Sequence, residues 1–338
     1  MNILSLYIGD NFLRMSSSGY KGGVISVDAL AMADDLPMIY SMLNDKTINT
    51  VSKKIEECYN SMKVQTKNVN IILPDSFTFS QIQEMPRLKE KELLYAIKYQ
   101  ADQFIPLPLE EASLDIEILA EDPGANKLLV LIVAASEKMI STITQMVEQA
   151  GLVPISIENE LSSIGRFVGS TAKSTASGSI ILNTGYSTSS LYYFNPDKKL
   201  ITDSYTVRIG VDLFVRELKA NLNIDTKKAL DILRTIGMSQ NASVNVAEIV
   251  GPALNDYIRE VEKFVIAMKE KYQKPITELS FFSSSISILN FDQKLSSGLG
   301  LTAKPYDIST LVSKSPITTS LPSGILPTFV STFGGSMR

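Results

Sequence analysis

The chain contains no histidine. That absence removes Ser-His and Cys-His nucleophile pairs and every histidine-containing zinc site, leaving carboxylate, lysine or phosphate-loop chemistry. It has one cysteine, Cys58, so no internal disulfide can form, in agreement with a reducing compartment. Long apolar runs are missing as well. The longest, 128–135, falls far short of the ~20 residues of a membrane helix, and the N-terminus has no basic segment ahead of an apolar one. An intracellular location is therefore expected. A net charge of −4 supplies no basic field, so nucleic acid is not an expected partner. What is present is ordinary for a folded protein: 44% hydrophobic and 20% charged residues over 338 positions. Single cores stop growing near ~250–300 residues, so two lobes are expected.

Residues 84–119, EMPRLKEKELLYAIKYQADQFIPLPLEEASLDIEIL, are the most informative stretch. Leu93, Leu94, Ile97, Ala101 and Phe104 recur at helical spacing, with Lys91, Lys98 and Asp102 on other faces, which predicts an amphipathic helix. Pro106 and Pro108 forbid its continuation, and SLDIEIL then alternates like a strand.

Elsewhere the pattern predicts a hairpin over 3–16, a helix over 48–62 and a strand over 69–73. The block 86–158 reads as a compact inserted unit with a second helix, capped by Ser136, striped by Met139, Ile140, Ile143, Met146, Val147 and Ala150, and stopped by Gly151. The stretch 169–179, GSTAKSTASGS, holds little that can be buried and reads as the connection between lobes. A second hairpin from Ser179, turning at 195–199, repeats the opening. Helices are expected at 212–222, at 226–235 between a cap at Asp225 and a stop at Gly237, and along Leu254, Ile258, Val261, Val265 and Met268. A strand at 277–282 and helices at 286–295 and 329–337 complete the pattern, with 313–325 as a Ser, Thr and Pro loop.

The 84–119 segment resembles the PilM family of type IV pilus assembly proteins. Further matching stretches are LPDSFTF at 73–79, VLIVAAS at 130–136, EQAGLVPISIENE at 148–160, the hairpin at 179–193, RIGVDL at 208–213 and FVSTFGGSMR at the end. The resemblance implies an α/β fold, two-lobed and actin-like in the FtsA/PilM manner, with an inserted αββαβ subdomain. The expected boundaries are 1–83 for the first lobe, continued by 159–175 and 326–338; 84–158 for the partner-binding insertion; and 176–312 for the second lobe, with a helical subdomain at 211–274.

The same resemblance implies a nucleotide site, and this sequence departs from it three times. The first-hairpin turn, whose carboxylate orients magnesium in the family, stands here as Tyr7-Ile8-Gly9-Asp10-Asn11. In the second hairpin the matching turn is Asn183-Thr184-Gly185, followed by the hydroxyls of Ser187 and Thr188. The adenosine segment reads Ser280-Phe281-Phe282-Ser283 where the family has glycines that let a base approach the backbone. Glu158 matches the family's acidic residue between lobes. A degenerate site is expected, with no cofactor; ATP with magnesium rests on the resemblance alone, and an active actin-like ATPase is the alternative.

The resemblance further implies a cytoplasmic adaptor, peripheral at the inner membrane, that captures the N-terminal segment of a PilN-like single-span protein among other pilus components. Gln100, Phe104, Ile105, Pro106 and Pro108 are the candidate contacts, with Phe104 and Ile105 as core residues on the opposing reading. A sugar-kinase or chaperone relative needs intact phosphate loops. An FtsA-like filament former needs a terminal amphipathic helix, where this chain ends GGSMR; a type II secretion L-type protein would continue into a membrane span. A second copy of the chain, as a homo-oligomer, stays among the partners compatible with the resemblance.

Overall fold

The computed structural model describes residues 2–41, 43–101, 104–171, 178–239, 242–322 and 324–338. The chain opens with β1 (Ile3–Ile8), β2 (Leu13–Lys21), β3 (Val24–Ala33), α1 (Asp45–Met62) and β4 (Asn68–Leu73). There follow β5 (Phe79–Pro86), α2 (Glu90–Gln100), β6 (Ala112–Asp122), β7 (Lys127–Ser136), α3 (Glu137–Gln149), β8 (Val153–Asn159) and α4 (Glu160–Thr171). The remainder comprises β9 (Ser179–Thr184), β10 (Ser189–Asn195), β11 (Leu200–Val207), α5 (Val211–Leu222), α6 (Thr226–Thr235), α7 (Val246–Ile249), α8 (Gly251–Tyr272), β12 (Glu278–Phe282), α9 (Phe291–Leu299), β13 (Thr302–Pro305), α10 (Pro316–Thr319) and α11 (Val330–Gly335).

Two five-stranded sheets share one topology, β3-β2-β1-β4-β8 and β11-β10-β9-β12-β13. In each, three strands form an antiparallel meander and two more are added in parallel. Parallel neighbours need helical crossovers, and α1 (before β4), α3 (before β8), α8 (before β12) and α9 (before β13) supply them. The repeat read from the two hairpins therefore extends to both whole sheets. Helix α4 and the terminal segment lie against both sheets: Leu161, Ile164, Phe167 and Val168 bury with Phe329, Val330 and Phe333 against Ile25 and Val27 of β3 and Ile181, Tyr192 and Phe194 of β9 and β10.

The apolar stripes of α3 and α8 are buried as the 3.6-residue period demands. Ser136 and Asp225 accept the backbone N–H of Met139 and Lys228 as N-caps, and Gly151 and Gly237 take positive φ at the helix ends.

Five expectations are corrected. The inserted sheet is β5-β7-β6, so it begins at Phe79, whereas β8 joins the first sheet beside β4 and α3 packs on α1. Sequence order alone groups α3 and β8 with the strand they follow; the buried stripe of α3 instead completes the first-lobe core with Ile55 and Ile71. Residues 286–290 are not helical, because Leu289 exchanges backbone hydrogen bonds with Leu233 and Met238 and Asn290 takes φ 56°. The terminal helix is α11 alone, preceded by a 3₁₀ turn at Leu326–Phe329. Finally, 169–171 belong to α4, and the loop expected at 313–325 contains the short α10; the rest of the expected connection, 172–177, and Asp102 lie outside the described residues.

Candidate functional site

The two hairpin turns meet between the lobes. In the first, Gly9 N donates to Phe12 O at 2.9 Å, and the Phe12 ring lies where a Cβ on Gly9 would have to go. Phe12 is buried with Tyr7 and Ile72, their aromatic rings 5.7 Å apart, and Tyr186 of the second turn packs on this group. Asp10 is buried; its Oδ2 accepts the Ser187 N–H at 3.4 Å, and Oδ1 has no partner. Burial raises the Asp10 pKa. Asn11 is also buried, and its carbonyl accepts from Leu36 N while that of Asp10 accepts from Ile39 N, so the 36–39 segment is bonded to the turn.

In the second turn, Asn183 Oδ1 accepts from Ser284 N at 3.0 Å, and Ser283 Oγ donates to Thr184 O while accepting from Ser285 N and Ile286 N. These groups satisfy one another, as buried polar groups must. Gly185 is required sterically, since a Cβ there would press on Thr188 O. The cavity at the β12 end, lined by Thr184, Phe281, Phe282 and Ser283, holds about 30 Å³, the room of one or two waters. The buried hydroxyls of Ser187 and Ser284 lie against Asp10 and Tyr7 respectively, without a close hydrogen bond. Of the predicted positions, Gly9, Asp10, Asn11, Asn183, Gly185, Ser187 and Ser283 thus converge on this interface. Ser280 instead lines a separate cavity with Lys304 and Tyr306, Thr188 lines another, and Glu158 lies elsewhere.

Three charged residues that sequence reasoning passed over govern the interior. Arg14, on β2, is fully buried. Its Nη1 pairs with Asp34 at 2.8 Å, Nε donates to Thr328 Oγ1 at 3.0 Å, and Nη2 donates to Ser285 O at 2.7 Å. One guanidinium thereby joins the first sheet, the second-lobe segment after β12 and the terminal segment. Asp75, just after β4, accepts the Leu161 N–H at the start of α4 and the Tyr192 hydroxyl at 2.6 Å. Glu160, the first residue of α4, accepts from Ser331 Oγ at 2.7 Å. Burial and then the charge of Asp75 push the Glu160 carboxyl up to about 8; burial also raises Asp75. The only signals in the sequence were a charge inside an apolar strand and acids beside strand ends, and neither names a partner.

Glu158 faces a different region. It is buried and accepts from Asn70, from Arg166 and from Arg338 at 3.2 Å. It lines a cavity of about 540 Å³ with Asp115, Ile116 and Glu117 of β6 and with Ile157 and Asn159 of β8. A neighbouring cavity of about 250 Å³ shares Glu117, Ser162 and Arg166 and adds Ile82, Ile118, Leu119 and Leu161. The two form one groove, bordered by β6 and β8, each the edge strand of its sheet.

The contacts expected at 100–108 divide. Ile105 is buried with Ala101 and Ala134, and Phe104 is half-buried with its ring 6.0 Å from Phe79, so both lock the turn as core residues. Ile105 is therefore corrected from surface to core: its backbone N–H continues the helical pattern to Ala101 O, which turns the side chain onto the sheet. Gln100, Pro106 and Pro108 are exposed, as are Tyr95 and Tyr99 of α2.

The family model described as type IV pilus assembly protein PilM matches residues 13–173. A solved structure titled PilM-PilN type IV pilus biogenesis complex is similar over 100% of this chain and 98% of its own, with a TM-score of 0.84 at 18% identity. The ethanolamine utilization protein EutJ of Carboxydothermus hydrogenoformans is similar over 100% of this chain and 89% of its own, with a TM-score of 0.58 at 12% identity. At these identities the structural likenesses establish the fold.

Proposed function

We propose that this chain, a divergent member of the PilM family of type IV pilus assembly proteins, is a pilus assembly platform that holds the N-terminal segment of a PilN-like membrane protein in the groove between β6 and β8. The observation that carries this reading is the groove itself: two sheet edges and an apolar floor of Ile82, Leu119 and Leu161, with Glu158, Arg166 and Arg338 at one end. An extended peptide suits such a site, since edge strands offer backbone pairing and alternate pockets read side chains. Residues 13–173, which match the family model, include both edges. Among the described residues no helix is long and apolar enough to cross a membrane, and the platform reaches the inner membrane through its partner.

Isothermal titration with a peptide copying the N-terminal cytoplasmic segment of the PilN-like protein of the same cell tests this. Ile118 on β6 is 38% exposed, so Ile118→Glu is expected to leave the melting temperature within a degree or two while weakening the peptide at least tenfold, about 1.4 kcal/mol. Unchanged affinity in Ile118→Glu and in Ser162→Arg places the peptide elsewhere.

We also propose that the nucleotide site is degenerate. ATP with magnesium does not fit the residues present: the Phe12 ring fills the space over Gly9, Tyr7 stands where the family has a carboxylate, and the cavity at the adenosine segment admits only water. The Ser187 hydroxyl, which could donate to a phosphate oxygen, and the Asp10 carboxylate, which could accept from a magnesium-bound water, favour the second reading, in which a magnesium nucleotide enters after the turns separate. The purified protein is expected to release no phosphate from ATP above a buffer blank. Magnesium-dependent release that disappears in Asp10→Asn would establish the second reading.

A further inference from the structure

A polar cavity separate from both sites lies between the insertion and the second lobe. It holds about 350 Å³ and is walled by the 3₁₀ turn Asp75–Phe77 and the start of β5 on one side and by Thr188 and β11 on the other. That volume falls in the range of small-molecule sites. Hydroxyls dominate its lining: Ser76, Thr78, Ser80, Thr188, Ser204 and Thr206. Thr188 alone is shared with the predicted nucleotide positions.

Two features of this lining are unexplained by the fold. Ser76 Oγ and Thr78 Oγ1 are buried with no hydrogen-bond partner. Leaving a buried hydroxyl unsatisfied is unfavourable, and such groups in native proteins mark an absent water, ion or ligand. Arg208 also lines the cavity, and among the described residues no hydrogen bond or ion pair engages its guanidinium. The one carboxylate in the wall, Asp75, is turned to other work: Oδ1 accepts from Leu161 N and Oδ2 from the Tyr192 hydroxyl. Unpaired hydroxyl donors and an unpaired guanidinium together suit a group with several acceptor oxygens and negative charge. Arginine holds such a group by parallel N–H donors, and hydroxyls complete its shell.

We propose that this cavity binds a small phosphate-bearing molecule, held by Arg208 and by the Ser76 and Thr78 hydroxyls. The site spans the insertion and β11, so its occupant bridges them. An uncharged polyol would meet the hydroxyls and leave Arg208 unused.

Calorimetric titration of the full chain with inorganic phosphate, glycerol 3-phosphate and glucose tests the assignment. Saturable binding of at least one phosphate probe and none of glucose is expected. Tighter glycerol 3-phosphate marks a phosphate ester as the occupant; equal or tighter inorganic phosphate marks the free ion. Arg208 is exposed, so Arg208→Gln is expected to keep its melting temperature and to lose at least tenfold in affinity, with Arg208→Lys recovering part of it. Thr78→Val, which replaces an unpartnered hydroxyl by a methyl group, is expected to melt no lower than the parent and to bind phosphate less tightly. Absence of saturable binding by either phosphate probe, or Arg208→Gln binding like the parent, overturns the proposal, as does glucose binding that survives Arg208→Gln.

Discussion

Replacing Arg14 with methionine is expected to lower the stability of the protein by about 3–5 kcal/mol, the usual cost of breaking a buried charged pair by removing one partner. Methionine keeps the aliphatic volume and strands what the guanidinium served: the Asp34 carboxylate, 27% exposed in its side chain, and the Ser285 carbonyl. Thr328 Oγ1 keeps its own bond to Ile325 O. The loss falls on the junction of both lobes, because Arg14 belongs to the first sheet and Ser285 follows the second. Arg14→Lys is not expected to rescue it, since one ammonium cannot present donors at the separated positions of Nε, Nη1 and Nη2. Arg14→Met with Asp34→Asn is expected to recover part of the loss by removing the stranded charge, although Arg234 also pairs with Asp34 at 3.1 Å. Urea unfolding measures both. A loss below about 0.5 kcal/mol in Arg14→Met would show the junction to be held by packing alone.

The second large effect concerns pH. Glu160 in the folded protein titrates near 8, against about 4.3 for an unfolded glutamate. Between these values the native state holds a proton that the unfolded state has released, so stability is complete below about pH 4.3 and falls as pH rises toward 8. Each pKa unit corresponds to about 1.4 kcal/mol, so the decline amounts to several kcal/mol. Burial is the main cause and the Asp75 charge the next; a carboxyl in this place is favoured neutral because water cannot solvate its anion. Glu160→Gln keeps an acceptor for Ser331 Oγ and cannot titrate. Its unfolding free energy, measured by urea titration at intervals from about pH 5 to 8, is expected to vary much less than that of the parent. Equal slopes in the two proteins would assign the dependence to other groups, and Asp75→Asn would then identify the partner of the pair.

The fold was legible in the sequence to the extent that local chemistry writes it. Period-3.6 stripes marked α3 and α8, caps at Ser136 and Asp225 marked helix starts, and the prolines at 106 and 108 closed α2, because each signal lies within a turn or two of the element it shapes. The two hairpins revealed the repeat of the lobes because hairpin turns are local as well. Sequence reasoning missed β3, although Ile25, Val27 and Ala29 alternate with exposed residues, and missed β5, whose alternation is interrupted by polar residues and whose partner is β7. It also placed Ile105 on the surface, where only the sheet it packs against could decide.

For the candidate sites, residue types and their order named the two hairpin turns as the positions matching the family's nucleotide site, with Tyr7, Asn183 and Phe282 as the expected departures from its pattern. Tertiary structure alone decided the rest. It folded the Phe12 ring over Gly9, turned Glu158 toward the groove and Glu160 toward the interior, and joined β6 to β8 across a cavity although two elements separate them in the chain. Arg14 finds its partners 20, 271 and 314 positions away. Such contacts form when burial removes water from charged and polar groups and leaves them to satisfy one another, and that selection acts on neighbours in space, which no spacing along the chain records.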